Sequence, residues 1–156
     1  MFDTLPKRFF LASGSGEAST ELNAFDAALL DAGIGDTNLL KISSILPPGA
    51  EEVTSFEFPK GSMVPLAYAE TTSGEPGTDI SAAVAVGIPE DESEAGLIME
   101  CARLGAPGPC ELAVREMVRE GMETIRGVRI REIKSISASL TVQKVGAVFA
   151  AVVLCP

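Results

Sequence analysis

The chain has 156 residues, 46% of them hydrophobic, and a formal net charge of −10 from 12 basic and 22 acidic residues. That length suits one domain with a full core, and the charge argues against nucleic acid, whose phosphates would be repelled, while remaining compatible with a cationic small molecule. Histidine is absent, which removes Ser-His-Asp and Cys-His catalysis, the zincin motifs and most transition-metal sites, and leaves carboxylates, lysines, hydroxyls, backbone groups or a cofactor to carry any chemistry.

The longest apolar run, Ala147 to Cys155, falls far short of the ~20 residues of a membrane span. Met1 to Phe10 carries Asp3, Lys7 and Arg8 without a long apolar stretch, so no signal peptide is expected and the expected location is the cytoplasm. Cys101, Cys110 and Cys155 are odd in number and lack CxxC spacing, and they read as reduced, mostly buried thiols.

In chain order, Arg8 to Ser13 reads as a strand ended by Gly14-Ser15-Gly16. Ser19-Thr20 caps a helix from Glu21 to about Ala32, with Leu22, Phe25, Leu29 and Leu30 at helical spacing and Gly33 as the stop. Asp26 interrupts that face, either as a helix-surface carboxylate or as the floor of a cation pocket. The loop Gly33 to Asn38 lacks both GxGxxG and Gly-Lys-Ser/Thr spacing and is no phosphate loop. A strand over Leu39 to Leu46 carries Ser43 and Ser44 and is stopped by Pro47-Pro48-Gly49. Serines inside an apolar run should be partly buried, with each hydroxyl needing a partner. They are either the end of a strand or hydroxyls beside a constrained backbone, which is one setting for chemistry on the peptide bond itself.

Glu51 to Lys60 is irregular or a short strand, Ser62 to Thr72 a strand, Thr72 to Asp79 a loop, and Ser81 to Ile88 an apolar strand ended by Pro89. Pro89 to Glu94 is an acidic, solvated loop. Gly96 to Ala102 is an apolar strand with Glu100 inside it, and an acid in such surroundings is suited to proton transfer near neutral pH. A turn over Gly105 to Pro109 precedes a helix from Glu111 to Ile125, whose apolar residues are Leu112, Val114, Met117, Val118, Met122 and Ile125. Val128 to Val142 alternates as a strand, and Lys144-Val145-Gly146 looks like a hairpin turn. Ala147 to Leu154, apolar on both faces, belongs in mid-sheet. Two packed sheets with helices outside is the simplest way to cover this much apolar strand surface, an α+β arrangement. The Ala/Val-rich strands also point to a subunit contact.

Three stretches together carry a resemblance: Asn38-Leu39-Leu40-Lys41-Ile42-Ser43-Ser44-Ile45-Leu46-Pro47-Pro48-Gly49, the run Gly61 to Ala69, and Gly96-Leu97-Ile98-Met99-Glu100. With them in view the whole chain resembles the pyruvoyl-dependent arginine decarboxylases. The resemblance implies one domain over residues 1–156, folded as a four-layer αββα sandwich of mainly antiparallel sheets. It implies a homotrimer with active sites at subunit interfaces, acting on an amino acid, with neither nucleic acid nor membrane as partner. It also implies autocatalytic cleavage of a zymogen between Ser43 and Ser44, giving a β chain 1–43 and an α chain 44–156. In that cleavage the Ser44 hydroxyl attacks the Ser43 carbonyl and the amide becomes an ester. Elimination leaves dehydroalanine, and hydrolysis of its imine tautomer releases ammonia. Residue 44 is then a covalent pyruvoyl group, with no pyridoxal phosphate and no metal.

The implied reaction is decarboxylation of L-arginine to agmatine and CO2, a lyase step of polyamine biosynthesis. Its implied site holds Ser44 as the cofactor precursor, Glu100 as the acid and Asn38 as an amide donor. Asp26 is the candidate partner of the guanidinium. Leu29, Gly35, Ser43 and Ile98 are placed around the substrate. Lysine or ornithine as the substrate, or an uncleaved, non-catalytic trimeric relative, are the alternatives.

Overall fold

The computed structural model describes residues 5–156. In chain order the elements are β1 (Arg8–Ala18), α1 (Glu21–Asp31), β2 (Asn38–Lys41), β3 (Ile45–Leu46), β4 (Glu51–Glu52), β5 (Met63–Ser73), β6 (Asp79–Pro89), β7 (Gly96–Leu104), α2 (Pro107–Arg119), a π-helical turn over Glu120–Ile125, β8 (Ile130–Thr141) and β9 (Val145–Cys155). They form a five-stranded sheet in the order β2-β5-β9-β1-β4 and a four-stranded sheet in the order β3-β7-β6-β8. Only the short pairings β1–β4 and β2–β5 are parallel.

Strand alternation explains the layering. On β9, Val148, Ala150, Val152 and Leu154 pack into the core between the sheets, together with Ala82, Val84 and Val86 of β6. The alternate residues Ala147, Phe149, Ala151 and Val153 pack beneath α1 with Ala24, Ala28 and Leu29. On the far side Val114 and Val118 of α2, with Met122, cover Ala83, Ala85 and Leu97. The stack is therefore α1, sheet, sheet, α2, an α+β sandwich as expected, and β9 lies in mid-sheet with both faces covered. Among the described residues no helix is long and apolar enough to cross a membrane.

Several local expectations are corrected. Gly14 and Gly16 do not end β1, which continues to Ala18 paired with β9. They are there because α1 crosses the strand at backbone distance. A Cβ on Gly14 would fall 2.2 Å from the Ala28 carbonyl oxygen, and one on Gly16 would fall 2.6 Å from the Ala27 Cβ. The face that α1 buries is accordingly its alanines with Leu29, while Leu22 and Leu30 stay exposed. Gly14→Ala is expected to destabilise the fold by about 1–3 kcal/mol, because the clash is with backbone and α1 must move. The denaturant midpoint measures this, and an unchanged midpoint would show that the helix is free to shift.

Thr20 does cap α1, its hydroxyl oxygen accepting from the Asn23 N–H. Helix α2 begins at Pro107, earlier than expected, because proline needs no N–H partner in the first helical turn. Leu112 on this helix and Ile125 at the end of the π-helical turn are exposed to solvent. Cys101 and Cys110 are not free thiols. The Gly105 turn folds α2 back over β7, bringing their Cα atoms to 5.6 Å, and they are joined by a disulfide, leaving Cys155 as a buried thiol. Lys144-Val145-Gly146 is not a hairpin turn either. Val145 and Gly146 already belong to β9, and residues 142–144 carry the chain from β8 in one sheet to β9 in the other, because β8 pairs along β6 whereas β9 fills the slot between β5 and β1.

Candidate active site

The expected single strand over residues 39–46 is two short strands in different sheets. β2 adds parallel to β5 of the first sheet, and β3 pairs antiparallel with β7 of the second, Ile45 opposite Leu97. The serine pair occupies the crossing. Two hydrogen bonds fix the chain on either side of it. The Ile42 N–H donates to the Leu66 carbonyl of β5 at 3.0 Å, and the Ser44 carbonyl accepts from the Ile98 N–H of β7 at 2.7 Å. The Ile42 side chain packs into the inter-sheet core. The Ser43–Ser44 peptide is thus drawn between an anchor in one sheet and an anchor in the other. Ser43 is exposed and Ser44 half-buried, so the expected burial holds for the second serine alone. Past the crossing, Gly49 at φ +69° and the Ala50 N–H donating to the Pro47 carbonyl turn the chain back to β4 in the first sheet.

Glu100 lies two residues beyond Ile98 on β7 and shares its face, which looks toward the other sheet. It is half-buried and not isolated in apolar surroundings. The Lys41 ammonium at the end of β2 lies 3.0 Å from Glu100 Oε1, an ion pair from one sheet to the other. Glu100 Oε2 is buried and is the one such side-chain oxygen without a hydrogen-bond partner among the described residues. The same ammonium stands 4.6 Å from the ring centroid of Tyr68, and that ring packs on Phe149 at 5.4 Å and on Phe25 of α1 at 6.4 Å. Burial, then the charge of Glu70, pushes the Tyr68 hydroxyl above the usual phenol range against the opposing Lys41 charge, with Glu100 adding to the rise. Burial likewise raises the Glu70 carboxyl, and Lys41 opposes it.

Of the residues expected at the site, the fold brings Ser43, Ser44, Ile98 and Glu100 together. Ile98 contributes its N–H, since its side chain is buried in the inter-sheet core. Asn38 opens β2, three residues from Lys41 and so roughly 10 Å along the strand. One of its side-chain N–H groups donates to the Gly61 carbonyl at 3.0 Å, and amide geometry leaves the second available. Leu29 is buried between α1 and the first sheet, and Gly35 is half-buried in the turn after α1. Asp26 is exposed on α1 next to Phe25. These four belong to the outer side or the end of the first sheet, whereas Glu100 looks between the sheets. Lys41 and Tyr68 went unread in the sequence, although Lys41 is the one charge in the apolar run before the serines and Tyr68 is the one tyrosine of the chain.

Comparison with known proteins identifies the family. The profile of the family described as pyruvoyl-dependent arginine decarboxylase (PvlArgDC) matches residues 8–156. The chain belongs to that family. The pyruvoyl-dependent arginine decarboxylase of Methanocaldococcus jannaschii is 49% identical over 150 residues, covering 96% of this chain and 90% of its own. That of Methanococcus aeolicus is 48% identical over 149 residues with the same coverage, and that of Pyrococcus abyssi is 44% identical over 156 residues, covering 98% of both. A pyruvoyl-dependent family implies a covalent pyruvoyl group. The residues present fit one at position 44. Such a group needs no separate cradle, only a serine at a fixed place beside a side chain that can carry a proton. The Ser44–Ile98 anchor supplies the place, and the unpartnered Oε2 of Glu100 supplies the side chain.

Proposed function

We propose that this protein decarboxylates L-arginine to agmatine and CO2 after cutting its own chain between Ser43 and Ser44. The observation that carries the proposal is the Ser43–Ser44 peptide suspended between two sheets, anchored at Ile42–Leu66 and Ser44–Ile98. Attack of the Ser44 hydroxyl on the Ser43 carbonyl is slow in a free peptide. Fixing both ends of the segment lowers the entropy cost of reaching the reactive geometry. Once formed, the pyruvoyl group supplies the sink for the electrons left when CO2 departs. Glu100 then delivers a proton from Oε2 to the carbon that lost CO2. The free N–H of Asn38 donates to the substrate, and Asp26 pairs with the guanidinium through two parallel hydrogen bonds. The new β-chain carboxylate falls at Ser43.

A homotrimer is part of the proposal. Asp26, Leu29, Gly35 and Asn38 stand apart from Glu100 within one chain, and a site shared between subunits resolves that separation, with a neighbour's α1 end facing the crossing. The edges of β5 beyond Leu66 and of β7 beyond Leu97 lie past the last residues paired with β2 and β3, which leaves backbone for such a contact.

The test is intact-mass analysis of purified protein together with CO2 release from arginine, lysine and ornithine. The expected result is two fragments split at residue 43 and release chiefly from L-arginine. A single full-length mass in an active preparation would overturn the cleavage, and a preference for lysine or ornithine would overturn the substrate.

A further inference from the structure

An ion pair with half-exposed partners adds little to stability, about 0–1 kcal/mol. The Lys41–Glu100 pair has side-chain exposures of 50% and 36%, so holding the sheets together is a weak reason for it. Its geometry points elsewhere. Lys41 engages Oε1 and leaves Oε2, the oxygen buried without a partner. The ammonium is in turn seated over the Tyr68 ring, which Phe25 and Phe149 hold in place. A cation over an aromatic face is held with about 0.5–2 kcal/mol and has few alternative positions. A fixed ammonium fixes the carboxylate plane, and with it the direction of the free oxygen.

We infer that Lys41 is a positioning residue for Glu100: seated on Tyr68, its ammonium holds Oε1 so that Oε2 is the oxygen that carries the proton. This rests on the decarboxylase reading above and extends it to residues that reading leaves without a role. The place of Lys41 in the chain gives the pair a second consequence. Lys41 precedes the cut and Glu100 follows it, so after cleavage the pair spans the two fragments, while the β2–β5 backbone pairing keeps the end created at Ser43 beside the site.

The experiment compares wild type, Lys41→Met, Lys41→Arg, Glu100→Gln and the Lys41→Met/Glu100→Gln double variant for self-cleavage, kcat and KM. Lys41→Met should cleave fully and lose roughly ten- to a hundred-fold in kcat, the size of effect that misplacing a reacting group produces, with KM little changed. Lys41→Arg should recover most of the loss. In the Glu100→Gln background Lys41→Met should cost nothing further, because a residue acting only through another has no effect once that other is gone. A second readout needs no turnover. The chain has one tyrosine and no tryptophan, so near-ultraviolet absorption and tyrosine emission report on Tyr68. Lys41→Met should alter both, and Lys60→Met, at the exposed pair with Asp36, should not.

A wild-type kcat in Lys41→Met, a loss that repeats in full in the double variant, or a Tyr68 signal that does not change overturns the inference. So does a Lys41→Met chain that does not fold or does not cleave, since Lys41 would then act on structure or on maturation. Wild-type protein that releases no CO2 from any of the three amino acids is a different failure, that of the decarboxylase reading, and it removes this inference as well.

Discussion

Ser44→Ala should remain one uncut polypeptide with no decarboxylase activity. The substitution removes the only hydroxyl positioned to attack the Ser43 carbonyl from the next residue, and with it the atoms from which the pyruvoyl group is made. Everything else at the crossing is retained. The Ser44 carbonyl that accepts from the Ile98 N–H is backbone and survives in alanine. Ser44 is half-buried, so losing its hydroxyl should change stability by no more than about 1 kcal/mol. The variant therefore folds with near-normal resistance to denaturant, and its failure is chemical. Ser43→Ala is the matched control. It keeps the carbonyl that is attacked and removes an exposed hydroxyl, so it should still be cut. Intact mass reads both variants directly. Two fragments from Ser44→Ala would mean that something other than the Ser44 hydroxyl breaks the bond, and no cut in Ser43→Ala would give the two serines a shared role.

Most elements were legible because period and punctuation agree. Alternation marks β8, a doubly apolar run marks β9, and Thr20 with Gly33 brackets α1. The serine pair, Glu100 and the three stretches around them were legible as motifs. What failed was information that a local window does not hold. A strand pattern does not say which sheet the strand joins, so residues 39–46 read as one strand and 144–146 as a hairpin turn, though the chain crosses between sheets at 42–44 and at 142–144. Glycine at 14 and 16 reads as a turn because its use against the backbone of α1 depends on a helix that comes later in the chain. The same reason hid the disulfide, since Cys101 and Cys110 meet only once α2 has folded back over β7. Lys41 received no role. Its partners come from β5 and β7, and only the closing of one sheet over the other makes Glu100 half of a pair rather than a lone acid.

Glu100→Gln should cleave normally and decarboxylate about 10²–10⁴ times more slowly, the usual loss when a positioned general acid is removed. Glutamine keeps the shape of glutamate, and its side-chain carbonyl oxygen can still accept from the Lys41 ammonium, so the crossing is left in place. It has no acidic proton to give to the carbon that loses CO2. KM should change little, because the assigned grip on the substrate lies in Asp26 and Asn38, and the loss should appear in kcat. Glu70 is the rival. Burial raises its carboxyl, which on electrostatics alone would make it a reasonable proton carrier. Strand alternation decides against it. Ala67 and Ala69 of β5 face the core between the sheets, so Glu70 belongs to the opposite face with Tyr68, whereas Glu100 shares the face of Ile98, whose N–H holds Ser44. Glu70→Gln should accordingly stay close to wild type in kcat. Both variants are checked by intact mass and by initial rates of CO2 release from L-arginine. Normal turnover in Glu100→Gln removes Glu100 from the acid role, and a large loss in Glu70→Gln instead would move the proton to the other side of the sheet.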